Sequence, residues 1–172
     1  MRSRSIVSSL TVAIVLVLAF TSTAIAAPRS RMVVLLDNCD GPSFNAALGA
    51  GACVRNGGMT FAAFNARLAS GGAASWRFSP RWASVKAGGT VLAVNRGGET
   101  HSFTEVASFG GGCVPPINEA LGLTPVAECD DPASFATFIP SGGRLRTGAL
   151  AAGTYKFQCL IHPWQRSTIT AR

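Results

Sequence analysis

The chain has 172 residues, of which 48% are hydrophobic and 13% charged, and its formal net charge at pH 7 is +7. It is long enough for one ordinary domain with a buried core. The excess charge is basic, but the sequence has no dense run of Lys and Arg and no interleaving of basic and aromatic residues, so a nucleic-acid partner is not expected. The charge instead predicts docking on acidic partners or on anionic cell-surface material.

The first 26 residues have the pattern of an export signal. Arg2 and Arg4 give a positive start, an apolar run follows at 10–20, and Ala-Ile-Ala at 24–26 offers a small-residue cleavage site. The alternative, a membrane anchor, needs about 20 apolar residues, which is more than this run contains. We therefore expect cleavage near Ala26 and an exported protein, periplasmic, secreted or at the cell surface, with no membrane span.

Residues 27–75 are predicted to form an N-terminal extension with a strand and short helices. The apolar run within 31–37 predicts a buried strand. A short helix, capped by its first residue, is expected at 43–48. A second helix is expected at 60–70, because Thr60 is a favoured N-cap residue and a Gly-Gly pair ends the pattern.

From residue 76 onwards the pattern changes to short apolar runs separated by Gly and Pro turns. The predicted strands are 84–95, 102–109, 144–150, 154–159 and 168–171. This spacing is typical of an antiparallel sandwich or barrel. The long connection between the second and third runs carries helix start and stop signals at 115–122.

The chain has five cysteines, and in an oxidising compartment an odd number leaves one sulfur without an intramolecular partner. Spacing suggests the pairs Cys39–Cys53 and Cys113–Cys129. Each pair closes a loop of about 15 residues and would stabilise the fold by roughly 3 kcal/mol. Spacing alone leaves other pairings open. Under this pairing Cys159 is the cysteine left without a partner. Three roles are then open to it: a metal ligand, a buried inert thiol, or one half of an intermolecular disulfide.

Cys159 lies close in sequence to one of only two histidines in the chain. His162 follows it by three residues, and both His162 and His101 lie at the ends of predicted strands. A thiolate favours Cu(I), imidazoles bind both Cu(I) and Cu(II), and a weak fourth ligand sets the reduction potential. These donors are typical of a copper ion that cycles between two oxidation states, although Cys-x2-His alone is a weak signal for a metal.

Three stretches resemble the cupredoxin family of type 1, or blue, copper proteins, especially members similar to amicyanin and plastocyanin. Residues 78–95 contain Phe-Ser-Pro, then Val-Lys-Ala-Gly-Gly-Thr-Val and a final Asn, and residues 95–101 keep the family's spacing from that Asn to the first copper histidine. Residues 153–163, Gly-Thr-Tyr-Lys-Phe-Gln-Cys-Leu-Ile-His-Pro, match the ligand strand and loop. The resemblance covers about 76–172, and 27–75 is an extension that the minimal family lacks.

The resemblance implies an all-β fold, an antiparallel Greek-key β-sandwich with one or two peripheral helices, and one bound copper ion. The implied ligands are the Cys159 thiolate, the imidazoles of His101 and His162 and, in the axial place, Gln165, where the family usually has Met. Ser102 stands where the family commonly has an Asn that ties the two ligand loops together.

These features predict a monomeric one-electron carrier between redox protein partners, with His162 as the electron port by family analogy. The alternative is an exported module for copper sequestration or delivery, but the mature chain has none of the Met-rich or His-rich tracts that would favour it. We do not expect an enzyme, because no histidines remain for a second copper site and no Gly-x-Ser-x-Gly elbow is present.

The three tryptophans receive different predictions. Trp76 and Trp82 are expected in the core. Trp164, two residues after His162, either packs at the rim of the core or joins an apolar docking surface.

Overall fold

Strands make up most of the regular structure in residues 27–172, the part of the chain that the computed structural model describes; the predicted export signal lies outside these residues. The strands are β1 (Ser30–Leu36), β2 (Arg77–Ser79), β3 (Trp82–Val85), β4 (Thr90–Asn95), β5 (His101–Ser102), β6 (Thr104–Val106), β7 (Phe138–Ile139), β8 (Arg144–Arg146), β9 (Gly153–Gln158) and β10 (Arg166–Ala171). The helices are α1 (Gly41–Leu48), α2 (Phe61–Leu68) and α3 (Pro115–Leu121), with 3₁₀ turns at Ala127–Cys129 and Pro132–Thr137.

The strands form two four-stranded sheets, in the orders β2-β1-β4-β8 and β3-β10-β9-β6, and a short pair, β5-β7. Every second residue of β4 and of β10 is buried, as expected for strands with one face against a core. Both sheets contribute to one hydrophobic core, which includes Val33, Leu35, Phe78, Val91, Val85, Phe157 and Ile169. The predicted β-sandwich is therefore confirmed.

Two strand pairs, β1 with β4 and β3 with β10, are parallel, so the sheets are mixed rather than purely antiparallel. The run 84–95, predicted as one strand, instead contributes to β3 and β4, which lie in different sheets. The prediction was wrong because a turn interrupts the run: Gly88 has a φ of 78°, which favours glycine.

Residues 27–75 contribute both to the sandwich and to a second core. Strand β1 lies between β2 and β4 inside its sheet. Helices α1 and α2 carry Phe44 and Phe64, which pack on Trp76 with ring centroids 5.9 and 4.9 Å away. These three side chains are the centre of a buried cluster that is separate from the core between the sheets.

The helices are peripheral, and three α-helices are present in the described residues instead of the predicted one or two. The Thr60 cap is confirmed, because its Oγ1 accepts the Ala63 N–H at 3.3 Å. Helix α1 begins earlier than predicted, since Asp40, rather than Ser43, is its cap and accepts the Ser43 N–H at 3.0 Å. None of the described helices is both long and apolar enough to cross a membrane.

The predicted disulfides, Cys39–Cys53 and Cys113–Cys129, are confirmed, and Cys159 is free and buried. The tryptophan predictions are confirmed only in part. Trp76 is 1% exposed, but Trp82 is 71% exposed. The core prediction for Trp82 was wrong because this residue begins β3, an edge strand of its sheet, and lies on the outer face.

Candidate metal centre

Strand β5, which begins at His101, and the loop between β9 and β10 bring together the predicted thiolate and imidazole donors. Cys159 Sγ lies 4.0 Å from His101 Nδ1 and 3.8 Å from His162 Nδ1, and all three donor atoms lie within 4.8 Å of one another. A metal ion with bonds of about 2.0–2.3 Å to nitrogen and sulfur separates neighbouring donors by about 3.5 Å. An ion therefore fits between them with a small adjustment, and the prediction that these side chains meet is confirmed.

Hydrogen bonds hold Cys159 between the two ligand loops. The backbone N–H groups of Ser102 and His162 each donate to its Sγ at 3.4 Å. The Ser102 hydroxyl accepts the Leu160 N–H at 2.7 Å, which ties the strand carrying His101 to the loop carrying Cys159. Although serine is shorter than the Asn expected here, it does connect the two loops.

The outer nitrogen of His101 faces a carboxylate that the sequence analysis did not identify. Asp37 directly follows β1, and its Oδ2 lies 2.8 Å from His101 Nε2. The same carboxylate accepts the N–H groups of Gly98 and Glu99 at 2.9 and 3.0 Å. A carboxylate on the outer nitrogen of a metal-binding histidine fixes its tautomer and ring orientation. In the sequence, Asp37 resembles an ordinary turn residue, and no pattern distinguishes it.

Burial and hydrogen bonding act in opposite directions on the pKa values of Asp37 and His101. Burial raises the pKa of Asp37, but hydrogen bonds from His101, Glu99 and Gly98 outweigh it and lower that pKa to about 2. Burial lowers the pKa of His101, but its hydrogen bonds to Asp37 and Cys159 raise it to about 9. Metal binding, which needs a neutral imidazole, therefore displaces a proton from His101.

The thiol of Cys159 is also strongly perturbed. Burial raises its pKa, yet the hydrogen bonds and positive charge of His101 and His162 bring the pKa well below the usual value. The thiolate is the form that binds metals. The lowered pKa of Cys159 favours this form.

A second carboxylate, that of Glu99, lies beyond His162. Glu99 Oε2 is 3.6 Å from His162 Nε2 and accepts a hydrogen bond from the Trp76 indole N–H. Burial raises the pKa of Glu99, and the His162 charge and the Trp76 hydrogen bond partly offset this effect. Both histidines therefore have a carboxylate at the outer nitrogen.

The loop that presents His101 packs directly on the extension. A Cβ added to Gly98 would lie 2.6 Å from Cys39 Sγ, and one added to Gly97 would overlap the Asp37 carboxylate. Only glycine allows the loop to approach the disulfide and the carboxylate this closely. The segment 27–75 is therefore part of the wall of the centre.

Gln165, the predicted axial residue, is fully buried. Its backbone carbonyl accepts the Cys159 N–H at 3.0 Å, and its side-chain Nε2 donates to the Leu36 carbonyl at 2.9 Å. Its Oε1 has no hydrogen-bond partner. Among the buried side-chain nitrogen and oxygen atoms of residues 27–172, it is the only one without a partner. A buried carbonyl oxygen without a partner is destabilising, and a cation bound in this loop would satisfy it.

Aromatic side chains cover the edge of the His162 ring. His162 is 2% exposed. Its ring is surrounded by Phe64, Trp76 and Trp164, with centroid distances of 5.9, 6.3 and 5.5 Å. Phe64 belongs to helix α2, so residues 27–75 supply part of this cover.

No protein-family model and no curated protein matches the chain. Among solved structures, it is similar to a purple cupredoxin from Nitrosopumilus maritimus, with 13% identity, 83% of this chain and 99% of that one covered, and a TM-score of 0.42. It is also similar to amicyanin from Paracoccus versutus, with 16% identity, coverages of 56% and 73%, and a TM-score of 0.36. A Cu(I) form of an amicyanin variant shows 22% identity, the same coverages, and a TM-score of 0.37.

The cluster of His101, Cys159 and His162 fits a type 1 copper site, in which two imidazoles and a thiolate form a trigonal set with a weak axial donor. The fold around it is a β-sandwich of mostly short strands with peripheral helices.

Truncating Asp37 should destabilise the metal-free protein. Asp37→Ala leaves His101 Nε2 and two buried backbone N–H groups without an acceptor, so we expect a loss of about 3 kcal/mol in the free energy of unfolding, measured by denaturant titration. Asp37→Asn keeps an acceptor oxygen and should lose less. Asp130→Ala, at an exposed position, should change stability by less than about 0.5 kcal/mol. Equal losses for Asp37→Ala and Asp130→Ala would contradict this role of Asp37.

Proposed function

We propose that this protein binds one copper ion and carries single electrons between redox protein partners. The proposed ligand atoms are Cys159 Sγ, the Nδ1 atoms of His101 and His162 and, in the axial position, Gln165 Oε1. The observation that carries the proposal is the buried, unpaired Cys159 sulfur 4.0 and 3.8 Å from two imidazole nitrogens. When bound, copper supplies the Cu(II)/Cu(I) couple.

The surrounding residues hold the donors in fixed positions, which is what an electron carrier requires. A site that rearranges little between oxidation states exchanges electrons quickly, because few bonds and dipoles must move. Here Asp37 fixes the outer nitrogen of His101, two backbone N–H groups fix the sulfur of Cys159, and Leu36 fixes the amide of Gln165.

The burial of the donors favours a carrier over the alternative of copper delivery. Delivery requires that an acceptor protein reach the ligands, but Cys159 and His101 are 0% exposed and His162 is 2% exposed. The same cover leaves little access for a substrate, which supports a carrier rather than an enzyme.

The two disulfides support a location outside the cytoplasm, because disulfides persist in oxidising compartments. Together with the export pattern of residues 1–26, they lead us to propose a periplasmic, secreted or cell-surface protein that acts as a monomer. The basic net charge supports acidic redox partners.

Copper-loaded protein should be intensely coloured through charge transfer from the Cys159 sulfur to Cu(II), as measured by visible absorption and electron paramagnetic resonance. Cys159→Ser should be colourless, since the thiolate is removed. The double variant Cys113→Ser/Cys129→Ser is the control: it removes two sulfurs outside the centre and should keep the colour. A colourless wild-type protein with ordinary copper spectra would rule out the type 1 site.

Electron exchange should be fast and should leave copper in place. In stopped-flow mixing of reduced protein with hexacyanoferrate(III), we expect rapid oxidation with copper retained after repeated cycles. In a parallel experiment, the metal-free form of a copper-binding protein should remove the copper ion only slowly, because the ligand side chains that hold it here are buried. Rapid copper transfer with slow electron exchange would favour delivery instead.

Gln165→Met should raise the reduction potential and keep the colour. An amide oxygen is a harder donor than a thioether sulfur and stabilises Cu(II) more than Cu(I), so replacing it favours the reduced ion. Voltammetry of the copper-loaded protein measures the change. An unchanged potential and spectrum would mean that Gln165 does not coordinate, and a lower potential would require a different axial ligand.

A further inference from the structure

Of the three aromatic rings around His162, only that of Trp164 reaches the surface. Phe64 and Trp76 are 4% and 1% exposed, whereas Trp164 is half-buried. The Trp164 indole is held in place, because its Nε1–H donates to the Ala73 carbonyl at 3.0 Å. A Cβ on Gly72 would overlap the indole ring, so the backbone packs directly against it. Trp164 is thus a fixed aromatic connection between His162 and the outside.

Arginines surround the exposed part of Trp164. Two adjoining surface clefts are lined by Trp164 together with Arg81 and Arg166, and Arg77 lines one of them. Arg166 is anchored, since it donates to the carbonyls of Pro163 at 2.6 Å and Gly110 at 3.0 Å. Burial and the charge of Arg81 lower the pKa of Arg166. Like charges are therefore held close together beside the indole.

Within the described part of the chain, no carboxylate forms an ion pair with these arginines. In residues 27–172 the ion pairs involve only His101 and His162, and none includes Arg77, Arg81 or Arg166. The surface continues to Trp82, which is 71% exposed and has the Arg81 guanidinium 5.4 Å from its ring centroid. Arg and Trp, together with Tyr, are enriched among the residues that dominate binding energy at protein interfaces.

We propose that the surface formed by Arg77, Arg81, Trp82, Trp164 and Arg166, here called the Arg/Trp surface, docks a redox protein with an acidic surface. The electron then passes through Trp164 to His162. This inference rests on the proposed function. One electron leaves the reduced redox centre of the partner, which is thereby oxidised, and would reduce bound Cu(II) to Cu(I). Trp164 has no net change of oxidation state, and no proton moves.

The test uses reduced cytochrome b5, an acidic haem protein, mixed with the oxidised copper protein in a stopped-flow instrument. The wild-type bimolecular rate constant should fall as salt is added, because opposite charges are screened. Arg77→Glu/Arg81→Glu should lower the rate constant at low ionic strength at least about tenfold and remove its decrease with salt. Both side chains are exposed and donate no side-chain hydrogen bond in the described structure, so the fold should tolerate the change.

The control is Lys86→Glu/Arg172→Glu, which changes the net charge by the same amount. Lys86 and Arg172 are exposed and flank the far ends of β3 and β10, about 20 Å along the strand from Arg166. The control should retain most of the wild-type rate. If both double variants slow the reaction equally, net charge rather than the Arg/Trp surface controls the encounter, and the proposal is overturned.

An independent measurement locates the contact. The indole N–H signals of Trp82 and Trp164 should shift when the Cu(I) protein is titrated with cytochrome b5 in nuclear magnetic resonance experiments, and that of buried Trp76 should shift less. Shifts confined to other surfaces would overturn the docking site. A colourless copper protein, or one inactive with hexacyanoferrate(III), would instead refute the proposed function. If the protein is coloured and reacts with hexacyanoferrate(III), but the Arg substitutions leave its rate constant with cytochrome b5 unchanged, only the docking inference is refuted.

Discussion

When a thiolate is completely removed from water, neighbouring groups must replace the solvent that stabilised its negative charge. The arrangement around Cys159 follows from that requirement. Two N–H groups, from Ser102 and His162, point at the sulfur, and two imidazoles lie within 4.0 Å of it. The imidazoles are buried too, so each in turn needs a partner for its outer nitrogen. The result is a series of polar contacts that runs from the sulfur through the two imidazoles to the carboxylates of Asp37 and Glu99.

The N-terminal segment, residues 27–75, supplies some of these polar contacts and is therefore part of the structure around the metal centre. Asp37 is supplied by the end of β1, and the Cys39–Cys53 disulfide supports the loop that carries Glu99. Trp76 then donates to Glu99 and packs against the aromatic side chains of α1 and α2. The second core consequently stabilises the same loop that positions His101, so the segment and the metal centre depend on each other.

The sequence was sufficient for the parts of the centre that lie close together along the chain. Cys159, His162 and Gln165 lie within one short loop, and an odd cysteine count selected the same sulfur independently. It was insufficient for Asp37, because the 2.8 Å contact with His101 joins residues 64 positions apart that carry no pattern of their own. Trp82 was placed wrongly because apolar character alone cannot distinguish the inner and outer faces of an edge strand.

For the proposed electron carrier, covering the imidazole edge would have two opposing consequences. Excluding water from His162 reduces the number of dipoles that must reorient when the charge of the centre changes, which favours fast exchange. The same cover increases the distance between a docked partner and the metal ligands, which slows exchange. Trp164 reconciles the two effects, because its ring lies 5.5 Å from that of His162 and also reaches the surface. In the docking proposed above, the arginines around Trp164 lie where they would orient an incoming acidic partner towards it.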